Sequence, residues 1–138
     1  AHCFNAAWEL MEQPERTTAE DEEMLRLSLA STWHWTQRED CTPANLSVGY
    51  WQTSRIYALM GQADNARRYG LMALATVLDE EAPFYQGYAY EALARAAALA
   101  GDRAKMAEYL VQARRAAETV PDGESREMLE ADLDTIQT

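Results

Sequence analysis

Residues 50–77 and 90–117 are two copies of one pattern, displaced by 40 positions. Superposed, Tyr50, Arg55, Ala58, Leu59, Gly61, Tyr69 and Ala73 meet Tyr90, Arg95, Ala98, Leu99, Gly101, Tyr109 and Ala113, seven identities in 28 positions. In each copy a glycine ends one apolar-periodic segment and opens the next, so the repeating unit is two helices joined by a tight turn. Such units bury their apolar faces by stacking, which predicts an all-α array of antiparallel hairpins.

The remaining helices follow from local signals. Phe4, Ala7, Trp8 and Met11 form one stripe of a first helix over residues 2–13, which Pro14 stops. Thr17 with Glu20 three residues later reads as a capping box for a second helix, carried by Met24, Leu25, Leu27, Ala30 and Trp33. Thr42 and Pro43 suit the N-cap and first position of a third helix that runs to Gly61. A fourth is expected from about Asp64 to Leu78, a fifth from Pro83 to Gly101, and a sixth through Met106, Tyr109, Leu110, Ala113 and Ala117. After Pro121, Asp122 and Gly123, a last helix holds Met128, Leu129, Leu133 and Ile136, with acids on its outer side. The hairpins are therefore placed at about 2–36, 43–78 and 83–120, closed by a capping helix at about 122–137, within one domain spanning 1–138.

Composition narrows the functional classes. With 48% apolar residues the chain has enough for an ordinary core, and no apolar run approaches the ~20 residues of a membrane span. Without a basic-then-apolar leader, a cytoplasmic protein is expected. Cys3 and Cys41 are expected as free thiols, and His2 and His34 are too isolated to form a metal cluster with them. No metal or cofactor is predicted. The net charge of −11 disfavours nucleic acid, whose binding relies on basic groups that release counterions. Acid is concentrated in Glu9 to Glu23 and Glu118 to Asp134, whereas residues 42–78 carry Arg55, Arg67 and Arg68 against Asp64 alone. That locally basic middle suits an acidic ligand, although solubility and helix dipoles account for acidic ends without one.

The hairpins resemble the tetratricopeptide-repeat family, in the form of a small bacterial tetratricopeptide-like protein. The second hairpin carries the resemblance in Tyr50, Ser54, Tyr57, Ala66 and Ala73, departing from the family pattern at Thr53 and Gly70. The third carries it in Tyr90, Leu93, Ala94, Leu110 and Ala113, departing at Ala97 and Met106. The period of 40 exceeds the family's usual 34, and the first hairpin follows only the helix-loop-helix arrangement. The resemblance implies a right-handed stack whose first helices line a concave groove. It places Trp51 and Arg55 of one hairpin, and Glu91 and Arg95 of the next, on that groove.

Both pairs are spaced i, i+4 and so project from one helix face each. An indole beside guanidinium groups suits a carboxylate attached to an apolar group, with Glu91 orienting the arginines. The plainer alternative is an ion pair between Glu91 and Arg95, with Arg55 reaching Glu91 from the neighbouring hairpin. All four tryptophans, Trp8, Trp33, Trp35 and Trp51, lie in the first 51 residues, and His34 beside Trp35 is a further candidate contact. The chain has no Gly-rich phosphate loop, nucleophile elbow, Cys-x-x-Cys or His-Glu-x-x-His, so no enzyme is expected. The function expected is non-catalytic binding of a protein or peptide bearing a carboxylate. Two alternatives are homodimerisation through the Trp-rich first hairpin and a small-molecule sensor or enzyme pocket around His34.

Overall fold

A computed structural model describes residues 2–136. It is all-helical, with seven helices and no strand among the described residues: α1 His2–Met11, α2 Thr18–Thr36, α3 Pro43–Leu59, α4 Ala63–Val77, α5 Pro83–Ala100, α6 Arg103–Glu118 and α7 Gly123–Asp134. Among the described residues no helix is long and apolar enough to cross a membrane. Gln137, the last position of the expected capping helix, lies outside the described residues.

Helix starts are set by side chains that satisfy otherwise unpaired backbone N–H groups. The Thr17 hydroxyl accepts from the Glu20 amide at 3.1 Å, and the Thr17 amide donates to the Glu20 carboxylate at 2.9 Å. Thr42 and Asn45 repeat the reciprocal arrangement at 3.2 and 2.9 Å, with Pro43 at the first helical position of α3. Asp102 and Asp122 cap α6 and α7 by accepting from the amides of Lys105 and Ser125.

The two copies end their first helices identically. Gly61 and Gly101 have φ of 76° and 78°, a conformation in which any side chain is strained. The amides of Gly61 and Gln62 donate to Ala58 and Tyr57, and those of Gly101 and Asp102 donate to Ala98 and Ala97. This is the Schellman closure, reproduced 40 residues later. Tyr50–Tyr69 and Tyr90–Tyr109, also equivalent, have ring centroids 6.3 and 6.4 Å apart. A Cβ at either glycine would meet nothing within 4 Å, so Gly61→Ala and Gly101→Ala isolate the backbone term. Each is expected to cost about 1 kcal/mol in urea denaturation, with the two values alike.

Each helix packs against the next in the chain, and α1–α3, α3–α5 and α5–α7 also touch, while no two even-numbered helices do among the described residues. The odd-numbered helices thus contact one another in chain order. Close approach is provided by small residues with internal hydrogen bonds: buried Ser47 and Ser54 of α3 donate to the carbonyls of Ala73 and Ala66 in α4 at 3.0 and 2.7 Å. Gly70, where the family pattern has a bulky residue, lies under Leu93, whose Cδ2 would be 3.0 Å from an added Cβ. The next hairpin fills that space.

The buried face of α2 differs from the expected apolar stripe. Met24, Ser28, Ser31 and Thr32 are buried, whereas Trp33 is 59% exposed. Ser28 meets Thr53 of α3 at 2.8 Å, and the Thr32 hydroxyl lies where a Cβ on Gly49 would be. Small hydroxyl side chains allow α2 and α3 to approach closely, and this excludes the indole from the contact.

Candidate functional site

Glu91 of α5 is 0% exposed and lies where α3, α5 and α7 converge. Its Oε1 accepts from the Trp51 indole N–H at 3.4 Å. Its Oε2 is 3.8 Å from Arg55 Nη1 and 3.6 Å from Arg95 Nη2, with charge partners on two helices and a hydrogen bond from neither. Arg95 Nη2 also donates to the Thr135 hydroxyl at 2.9 Å and the Asp132 carbonyl at 3.3 Å. The Tyr88 hydroxyl donates to Asp132 Oδ2 at 2.5 Å. These contacts link α3, α5 and the α7 end of the chain.

Loss of solvent dominates the electrostatics here. Burial raises the Glu91 carboxyl above its ordinary range, against the opposing pull of Arg95 and then Arg55. Burial, followed by repulsion from Arg95, lowers Arg55. Burial and the hydrogen bond to Asp132 raise the Tyr88 hydroxyl well above the ordinary phenol range.

Two depressions flank this cluster. One, of about 280 Å³, has walls from four helices: Phe4 and Trp8 of α1, Ser47, Val48 and Trp51 of α3, Phe84, Tyr85 and Tyr88 of α5, and Met128 and Asp132 of α7. The other, of about 390 Å³, is lined by Arg55, Ala58 and Leu59, by their equivalents Arg95, Ala98 and Leu99, and by Thr135 and Ile136. Trp51 and Arg55 therefore line different depressions, with Glu91 between them.

Of the residues singled out in the sequence, Trp51, Arg55, Glu91 and Arg95 are brought together, and His34 and Trp35 are not. Those two line a separate depression of about 220 Å³ with His2, Cys3, Ser31 and Arg38. Arg38 sits over the Trp35 ring at 4.9 Å and pairs with Asp40, and His34 packs edge-on against Trp33. Glu91 is enclosed by Trp51, Arg55 and Arg95, and His34 lies apart from it in this separate depression. Sequence reasoning missed Trp8, Tyr88, Asp132 and Thr135. Trp8 was visible as an aromatic on the apolar stripe of α1, but nothing in the acidic run around Asp132 separates it from its solvated neighbours. No family model matches the chain, and no curated protein or solved structure matches it either.

Proposed function

We propose that the chain is a non-catalytic binding module, a right-handed tetratricopeptide-like stack of three hairpins closed by α7, and that its odd-numbered helices receive a peptide segment bearing a carboxylate. The supporting observation is the arginine depression, in which two equivalent Arg-x-x-Ala-Leu segments stand side by side. Two guanidiniums face a single internal carboxylate, which leaves surplus positive charge there in a chain of net charge −11. Leu59 and Leu99, 42% and 45% exposed, offer an apolar wall on either side. A C-terminal carboxylate following an apolar residue matches both features. Free thiols at Cys3 and Cys41 suit a cytoplasmic setting.

The test compares acetylated peptides that end in leucine as the free acid or as the amide, by isothermal titration. The acid is expected to bind about tenfold or more tightly than the amide. Arg55→Ala is expected to remove most of that affinity with helicity unchanged. Equal affinity for acid and amide, or full affinity in the variant, rejects the reading. Self-association is a second reading, favoured by Leu29 and Trp33, which are exposed and one turn apart on α2. Light scattering at high concentration distinguishes it by mass.

A further inference from the structure

The aromatic cavity differs chemically from the arginine depression and calls for a different ligand. Its rings form one contact chain: Phe4–Trp8 at 6.3 Å, Trp8–Trp51 at 5.6 Å, Trp51–Tyr88 at 5.3 Å and Tyr88–Phe84 at 5.1 Å between centroids. Three of these pairs meet edge to face at 69 to 74°, and aromatic rings carry a negative quadrupole lobe on their faces, to which a cation is attracted. Asp132 is the one charged side chain on the wall, and no Lys or Arg side chain pairs with its carboxylate among the described residues.

The hydrogen-bonding inventory narrows the choice further. Three of the wall's side-chain donors are already engaged, the Trp51 N–H with Glu91, the Tyr88 O–H with Asp132 and the Ser47 O–H with the Ala73 carbonyl, while the Trp8 N–H and the Tyr85 O–H are the others. An anion would meet aromatic faces and a carboxylate, which repel it. A primary ammonium would have three N–H groups to satisfy, with only Asp132 charged to receive them. A neutral apolar group would suit the rings but leave the Asp132 charge without a counter-charge. A quaternary ammonium has no hydrogen bond to satisfy, is cheaply dehydrated and carries the complementary charge.

We propose that this cavity is a binding site for a small quaternary ammonium compound, seated between Trp8, Trp51, Tyr88 and Phe84 with Asp132 as counter-charge. The site is independent of the arginine depression: Arg55 and Arg95 line the other side of the Glu91 cluster and not this cavity.

Choline chloride is the probe, with neohexanol as its uncharged carbon isostere and ethanolamine as its primary-amine counterpart. Titration is followed by calorimetry and by tryptophan emission, which Trp8 and Trp51 should report. Choline is expected to bind about tenfold more tightly than either control. Asp132→Asn is expected to weaken choline by about tenfold and leave neohexanol unchanged, and Trp8→Leu to weaken choline comparably, each with wild-type helicity. Saturable choline binding that persists when the leucine peptide acid is present in excess supports two separate sites. Equal affinity for choline and neohexanol, absence of saturable choline binding to the wild-type protein, or unchanged choline affinity in both variants overturns the proposal.

Discussion

Glu91→Ala is expected to destabilise the protein by about 3–5 kcal/mol, lowering the thermal midpoint by roughly 10–20 °C. The side chain is wholly buried, and its removal strands three partners: the Trp51 indole N–H and the guanidiniums of Arg55 and Arg95. Two positive charges from adjacent hairpins would then face each other with nothing between them. Glu91→Gln retains an acceptor for Trp51 and is therefore expected to cost less. It also isolates the titration. Because burial raises the native carboxyl above the ordinary value of 4.5, both folded and unfolded chains hold the proton below that pH, and ionisation there penalises neither. As pH rises, the unfolded chain releases its proton first, so the contribution of Glu91 to stability declines until the raised native value is passed. The urea midpoint of the wild type relative to Glu91→Gln should accordingly fall as pH rises from about 4 to 7, with the other carboxylates cancelling in the comparison. A rise over that interval would mean that the arginines outweigh desolvation.

The Glu91 cluster was legible because both of its determinants are local or periodic. Glu91 and Arg95 share a helix face by their spacing, and the displacement of 40 that aligns Gly61 with Gly101 also aligns Arg55 with Arg95. Helix ends were legible for the same reason, since Thr17, Thr42 and the two glycines act within a few residues of themselves. Rotation of a helix about its own axis is not local. On α2 the apolar spacing favours Trp33, yet Ser28 and Thr32 face α3, because the inward side must fit against Gly49 and Thr53. That rotation also carries His34 to a depression shared with α1. Asp132 was hidden likewise: its partners Tyr88 and Arg95 are fixed by how α7 docks on α5, through a contact spanning about 40 residues of chain.

That docking depends on Leu129, and Leu129→Ala is expected to cost about 2–5 kcal/mol, whereas Met128→Ala should stay within about 0.5 kcal/mol. The neighbours differ in what they touch. Leu129 is 0% exposed, and its Cδ2 occupies the space that a Cβ on Gly87 would claim at 2.4 Å, so the absence of a side chain on α5 is what admits the leucine. Truncating it leaves a cavity that Gly87 cannot fill. Met128 is 54% exposed and only rims the aromatic cavity. Since α7 also supplies Asp132 and is followed directly by Thr135, loosening its seat should propagate to the Tyr88 and Arg95 hydrogen bonds. Hydrogen exchange should therefore show faster opening of α7 in Leu129→Ala than in Met128→Ala, with the amides of α3 and α4 much less affected. Equal losses in the two variants would show that α7 is held by its polar contacts, and the seating of Leu129 over Gly87 would then contribute little to docking α7 on α5.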